Sequence, residues 1–294
     1  MGTLNTLEQA GVLETVPAAE RELATGEPRQ GLVEPALPVH ILVLPGADEV
    51  AAEQLGERIG VGPASDVYDV SPDSLVVRFD AAGVSLEQGG LSMRADLTSM
   101  LPRLRPDRLH RELLVRAAKI KGALATDELG NSRPWRAVDA TAGLGEDSLL
   151  LAAAGFEVLL YERDPVIAAL LADSLRRARE NPQLTEAAGR MRLAGSDSVA
   201  ALPGMEPAPD VVYLDPMFPE RRKSAAVKKK FQLIHQLERP CEDQDALVAA
   251  ALAAHPRKVV IKRPIKGPFL AGIKPSYSLS GKSVRYDCLV PPAK

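Results

Sequence analysis

The 294-residue sequence predicts an α/β fold: a mostly parallel, Rossmann-like sheet covered by helices on both faces, closed by a C-terminal antiparallel hairpin and preceded by a small N-terminal α/β domain. Three observations predict it. From Arg136 to Lys262, short apolar runs alternate with stretches of helical period, the pattern that buries parallel strands between helical layers. A glycine-rich turn joins the first of these runs to a helix, as sheets that bind nucleotides require. The last two apolar runs, residues 277–279 and 284–289, flank Ser280-Gly281-Lys282 as the arms of a hairpin.

In chain order, residues 1–38 read as a poorly ordered leader, with four prolines, scattered glutamates and little apolar periodicity. Residues 39–95 form the small α/β domain. Its signals are a buried strand at 39–44 punctuated by Pro45-Gly46, a helix near 48–59 and a second strand at 74–79. Residues 96–135 are a basic helical connector with an apolar stripe over 113–120. Residues 136–294 carry the main sheet. Strands are expected at 137–139, 157–161, 191–193, 210–214 and 258–262, with helices over 148–154, 165–179 and 243–254. Pro165 suits the first turn of the second of those helices.

Composition narrows the classes of function. Hydrophobic content of 46% and charged content of 26% suit a globular protein and exclude a disordered one. Two cysteines, Cys241 and Cys288, have no CxxC or Cys/His spacing, which argues against structural zinc and a disulfide framework and fits a reducing cytoplasm. No secretion signal is visible, and no run approaches the roughly 18 apolar residues of a membrane helix. The expectation is a cytoplasmic protein with no metal and no membrane partner.

Net charge is −3, but its distribution is uneven. Residues 1–60 carry ten acids against three bases, residues 101–121 seven bases against two acids, and residues 257–286 eight bases and no acid. Separate basic stretches favour a polyanionic partner.

The turn Asp139-Ala140-Thr141-Ala142-Gly143-Leu144-Gly145-Glu146-Asp147 follows the first main strand and opens a helix. Gly143 and Gly145 let the backbone approach a ligand, and Asp139 is placed to accept from a cationic amino group. Glu162, at the end of the next strand and followed by Arg163, is placed to accept ribose hydroxyls. Asp197 and Ser198, after the third strand, are placed near an adenine amine. These residues mark a nucleoside-binding edge without choosing the cofactor: NAD stays open, although Ser148 stands where its third small residue would fall.

The fourth strand ends in Tyr213-Leu214-Asp215-Pro216-Met217-Phe218-Pro219, which resembles the Asp/Asn-Pro-Pro-Tyr/Phe signature of amino methyltransferases. The residue types fit that chemistry. An aryl amine is a poor nucleophile because its lone pair is delocalised. Asp215 and a carbonyl of the Pro216 loop can accept its two N–H bonds and align the lone pair. Phe218 can stack on the base.

These strings, together with Glu162-Arg163-Asp164-Pro165-Val166, Lys223-Ser224-Ala225, Val260-Ile261-Lys262-Arg263-Pro264 and Gly281-Lys282 with Arg285-Tyr286-Asp287, resemble the ribosomal RNA small subunit methyltransferase J family over about residues 96–290. The resemblance implies a class I methyltransferase fold. It also implies transfer of a methyl group from S-adenosylmethionine to the N2 amine of a guanine in 16S ribosomal RNA, free or in the small subunit. It places cofactor contacts on Glu146, Asp147, Glu162, Arg163, Asp197, Ser198 and Asp215. The chain departs from the pattern at Glu146, where a basic residue is expected, and at Asp197, where a serine is.

Candidate RNA contacts are Arg105, Arg108 and Arg111 in the connector, Lys223, Lys228 and Lys229 after the Asp215 loop, and Lys262, Arg263, Lys282 and Arg285 at the end of the sheet or in the hairpin. The alternative for the run at 228–230, less favoured than RNA contact, is a solvated helix face. Methylation of a DNA amine or a protein amide, or RNA binding without catalysis, are the rival functions. The basic stretches disfavour protein as substrate, and an intact Asp139, Gly143, Gly145, Glu162 and Asp215 disfavours a binding-only relative.

Overall fold

A computed structural model describes residues 38–66, 71, 73–121, 125–126, 130–216, 233–234, 236–237 and 243–292. Phe218, Lys223, Lys228 and Lys229 lie outside the described residues, as does all but Pro38 of the expected leader. Among the described residues no helix is long and apolar enough to cross a membrane.

The first sheet has five strands. β1 (Val39–Val43) pairs in parallel with β2 (Pro63–Ala64) and β3 (Leu75–Asp80), and β3, β4 (Gly83–Gln88) and β5 (Leu91–Arg94) form an antiparallel meander. Period-2 alternation buries Leu75, Val77 and Phe79 of β3 on one face. Helix α1 (Glu49–Ile59) starts where the Asp48 carboxylate accepts from the Ala51 amide at 3.0 Å, and stops at Gly60 in the left-handed conformation. The sequence reading expected only two strands here. It missed β4 and β5 although the pair Gly89-Gly90, both at positive φ, is a two-residue hairpin signal.

The connector holds short helical turns at Leu101–Leu104 and Pro106–Leu109 and a helix α2 (Leu113–Ala118). A two-stranded ladder, β6 (Ala125–Thr126) with β7 (Ser132–Arg133), follows.

The main sheet has seven strands: β8 (Arg136–Asp139), β9 (Glu157–Tyr161), β10 (Met191–Gly195), β11 (Val211–Leu214), β12 (Lys258–Pro264), β13 (Tyr277–Ser280) and β14 (Val284–Leu289). Their order is β10-β9-β8-β11-β12-β14-β13, parallel through β12 and antiparallel at β14 and β13. The expected Rossmann-like sheet with its terminal hairpin is therefore present. The chain reverses direction across the sheet between β8 and β11, where open α/β sheets bind ligands beyond the strand ends. One face packs on α2 and α3 (Glu146–Ala153) through Leu114, Leu149, Leu150, Tyr213, Val260 and Tyr286. The other packs on α5 (Gln244–Ala253) through Val138, Val212, Leu214, Leu247, Val248 and Ile261.

The intervening helix α4 (Pro165–Glu180) begins with Pro165 at its first turn and Asp164 as its N-cap, accepting from the Val166 and Ile167 amides. It serves both sheets. Leu171, Leu175 and Ala178 lie in the main core, whereas Val166, Ile167 and Leu170 join Ile41, Phe79 and Leu86 of the small sheet. Asp173, also on α4 and buried, accepts from the Val84 amide at 3.0 Å and is flanked by Arg176 and Arg177, each at 2.9 Å. Arg177 also donates to the Ala95 carbonyl. Gly83 is required at this contact: its φ is +115°, and a Cβ would lie 2.4 Å from the Asp173 carboxylate.

Candidate active site

The carboxyl ends of β8, β11 and β12 bring together three acids and a lysine. Asp139 ends β8 and is 1% exposed. It accepts from the Thr141 amide at 3.1 Å and from Ser148 Oγ, on α3, at 2.5 Å. Burial, with smaller repulsion from Asp147 and Asp215, outweighs those two hydrogen bonds and lifts its carboxyl to about 7.

Asp215 follows β11, and its amide donates to Thr141 Oγ1 at 2.7 Å, which fixes the strand end against the glycine-rich turn. Lys262 lies next to it because the ladder pairs Leu214 with Ile261. The ammonium donates to Asp215 Oδ2 at 2.9 Å and Asp147 Oδ2 at 2.8 Å. Tyr213, two residues before Asp215 and so on the same face of the strand, donates its hydroxyl to Asp147 Oδ2 at 2.6 Å. Burial alone would lower Lys262, but the two carboxylates outweigh it and hold the ammonium well above its ordinary value. Burial raises Asp215, and Lys262 offsets only part of that. For Asp147, burial is outweighed by Lys262 and Tyr213, and its carboxyl falls below the ordinary range. The result is a fixed, hydrogen-bonded cluster in which Asp215 is the most accessible of the three acids, its side chain 31% exposed.

The glycine-rich turn is shaped for a ligand. Gly143 and Gly145 both take positive φ, and no atom lies within 4 Å of where a Cβ of Gly143 would sit. Glu162 Oε2 accepts from the Gly143 amide at 2.8 Å and Oε1 from the Asp164 amide at 2.8 Å, so both oxygens are oriented by backbone. An amino-acid-bearing nucleoside fits this donor and acceptor set: carboxylates for its ammonium, Glu162 for its ribose, and an open glycine turn between them.

Other expected residues are distributed less simply. Glu146, half-buried, opens α3 beside Asp147. Arg163 is exposed next to Glu162. Ser198 is buried with its hydroxyl donated to the Ala140 carbonyl at 3.0 Å, so it ties the third strand's loop to the turn. Asp197, exposed, caps the short helix Ser198–Ala201 by accepting from the Ala200 amide at 3.0 Å. Pro216 is buried behind Asp215.

Three expected RNA contacts need correction. The Lys262 ammonium is held between Asp147 and Asp215 and belongs to the site. Arg263 is 1% exposed, with Nε donating to the Pro268 carbonyl at 2.8 Å; burial, aided by repulsion from Arg285, lowers it to about 10. Arg285 is 8% exposed and holds Asp287 and the carbonyls of Pro264, Ile265 and Gly267. Both arginines shape the 264–268 turn and present no group to a phosphate. Arg105, Arg108, Arg111 and Lys282 are exposed, with Arg105 paired to Asp107 at 3.4 Å.

The sequence reading missed Thr141 and Tyr213 as site residues and kept Ser148 only as an argument against NAD. Thr141 and Ser148 were available as hydroxyls within and just after the glycine turn. Tyr213 was available from strand periodicity, being the polar residue two positions before Asp215.

Comparison with known proteins agrees with this geometry. The family described as "Putative SAM-dependent methyltransferase" matches residues 82–291. The ribosomal RNA small subunit methyltransferase J of Cellvibrio japonicus is 37% identical over 254 residues, covering 82% of this chain and 91% of that protein. Its counterpart in Pseudomonas paraeruginosa is 54% identical over 153 residues, 52% of this chain and 59% of that protein, so this match spans under two thirds of the relative's length. The crystal structure of a SAM-dependent methyltransferase from Neisseria gonorrhoeae superposes with a TM-score of 0.64 at 29% identity, over 86% of this chain and 96% of that one. With the family match over residues 82–291 and a relative 37% identical over 91% of its length, the chain belongs to the SAM-dependent methyltransferases and, among them, to the ribosomal RNA small subunit methyltransferase J family.

Proposed function

We propose that this protein transfers a methyl group from S-adenosylmethionine to the exocyclic N2 amine of a guanine in 16S ribosomal RNA. The observation that carries the reading is Asp215: a carboxylate at the switch point of the sheet, anchored by Lys262 and Thr141, with one side open to the cleft beside the glycine turn. Bound there, the cofactor would supply a methyl group on a positively charged sulfur. Asp139 and Asp147 would provide negative charge for its ammonium, Glu162 would accept from its ribose, and Asp197 would meet its adenine.

Asp215 accepts one N–H of the guanine amine and turns the nitrogen lone pair toward the methyl. The Pro216 carbonyl would accept the other N–H, and Phe218 would stack on the base. As the nitrogen gains its methyl it becomes acidic, and Asp215, whose proton affinity burial raises, is the acceptor for the released proton. Lys262 holds that carboxyl in place, so little reorganisation is left for the transition state. The exposed bases Arg105, Arg108, Arg111 and Lys282, together with Lys223, Lys228 and Lys229, would hold phosphates without reading sequence.

The experiment is transfer of labelled methyl to small-subunit ribosomal RNA, followed by mass spectrometry of its nucleosides. N2-methylguanosine appearing with the wild-type protein and failing to appear with folded Asp215→Ala supports the reading. A modified nucleoside of any other kind refutes it.

A further inference from the structure

The amino-terminal ends of the parallel strands, opposite the candidate active site, open into a second cavity of about 760 Å³. Trp135 immediately precedes β8 and Phe156 immediately precedes β9; the connector and β13 form the other walls. Tyr277, on β13, lines the cavity and is 41% exposed. Its rim carries His110, Arg116 and Lys119, all exposed, and no acid is among the described lining residues. Cations also back the two aromatics from outside the cavity: the Arg257 guanidinium lies 5.4 Å from the Trp135 ring and the Lys258 ammonium 5.8 Å from the Tyr277 ring.

Aromatic rings that offer a face, set in a channel of positive charge, are what unpaired nucleic-acid strands bind: bases stack on the rings while cations track the phosphates. An acidic or neutral peptide would need hydrogen-bonding partners for its backbone, and this wall is apolar. In a chain with 4% aromatic residues, the sole tryptophan and an exposed tyrosine lining one basic cavity form a specific juxtaposition. The exposed Arg108 and Arg111 flank it on the connector.

We infer that this groove binds single-stranded RNA flanking the target nucleotide, with unpaired bases stacked on Trp135 and Tyr277 and phosphates held by Arg116 and Lys119. The inference rests on the proposed RNA substrate. It adds a second contact separated from Asp215 by the length of β11, about 13 Å for four residues at ~3.3 Å each. One substrate strand would thus be gripped at both ends of the sheet.

The single tryptophan makes the test direct. Titration with a short single-stranded RNA should change Trp135 fluorescence saturably, and added salt should reverse the change. Tyr277→Ala and, separately, Arg116→Glu with Lys119→Glu should each weaken RNA binding roughly tenfold. Affinity for S-adenosylhomocysteine, at the other end of the sheet, should not change in either variant. Methyl transfer is measured in parallel, so the two readings fail separately: RNA-dependent quenching without methylation sinks the function but keeps the groove. Methylation with Trp135 fluorescence unmoved at saturating RNA, or groove variants that bind RNA like wild type, overturns the groove. A fluorescence change that follows protein concentration alone overturns it too, in favour of a second copy of the chain.

Discussion

Two aspartates at opposite ends of β11 show how one residue type does two kinds of work. Asp210 precedes the strand and is 3% exposed. Its carboxylate accepts from Arg133 at 2.7 Å, Arg257 at 3.2 Å and the Arg136 amide at 2.9 Å. Asp215 follows the strand and accepts from Lys262 at 2.9 Å, with its side chain still 31% exposed. A carboxylate has about four lone-pair sites. Where donors from three residues in two distant chain segments fill them, the group is a clamp. Where they are left partly open and the charge is held from one side, the group can accept from a substrate.

Breaking the clamp should have the largest effect. Asp210→Ala removes a buried carboxylate that holds the partly buried Arg133 guanidinium, the Arg136 amide and the exposed Arg257, a loss at the lower end of the about 3–5 kcal/mol typical of broken buried pairs. Denaturant unfolding should show that loss, and cofactor affinity of the protein that remains folded should be intact. Asp215→Ala should behave in the opposite way, with the unfolding midpoint near wild type and methyl transfer slower by about 100-fold or more, as for other preorganised hydrogen-bond partners. A large stability loss in Asp215→Ala, or none in Asp210→Ala, would erase the distinction. Asp215→Asn keeps one acceptor oxygen and should retain part of the activity.

Smaller effects sharpen the comparison. Glu162→Ala should weaken S-adenosylhomocysteine binding by about 1.5–3 kcal/mol, the worth of hydrogen bonds to a charged group, read by calorimetry. Asp139 gives a pH signature. Its folded value of about 7 lies above the unfolded one, so its contribution to stability is present below about pH 4 and is lost as pH rises through about 7. An ammonium-bearing ligand prefers the ionised form. Affinity for S-adenosylhomocysteine should therefore rise as pH passes through about 7, and Asp139→Asn should flatten that rise while Asp147 and Asp215 are unchanged. The smallest effect belongs to the surface. Removing Arg108 and Arg111 should reduce the salt dependence of RNA binding by about one to two units of slope and leave the unfolding midpoint in place.

What the sequence disclosed of this protein followed periodicity, and what it hid followed register. The main strands, α4 with Pro165 at its start, and the pairing of a glycine turn with Asp215 were all legible. Each is encoded within a few neighbouring residues. The role of Lys262 was not legible, because it depends on Ile261 pairing with Leu214, which adjoins Asp215 across the sheet. The same holds for the basic stretch at 257–286. It contains no acid in sequence, yet Lys262 meets Asp147 and Asp215, Arg257 meets Asp210, Arg285 meets Asp287, and Lys258 caps the carbonyls of Ala117 and Lys119. A charge count along the chain takes all of these for surface. The connector arginines, by contrast, are exposed as the count suggested.

Helix α4 has a consequence for how far this chain could be shortened. Its apolar residues point two ways, and Asp173 leaves no room for a side chain at position 83. A gene shortened to the main sheet alone would produce a helix with Val166, Ile167 and Leu170 stripped of their cover and a buried carboxylate without its Val84 amide. Residues 39–95 therefore cannot be removed without uncovering part of α4. A chain without the small sheet would need other side chains at Val166, Ile167, Leu170 and Asp173 to stay folded in water.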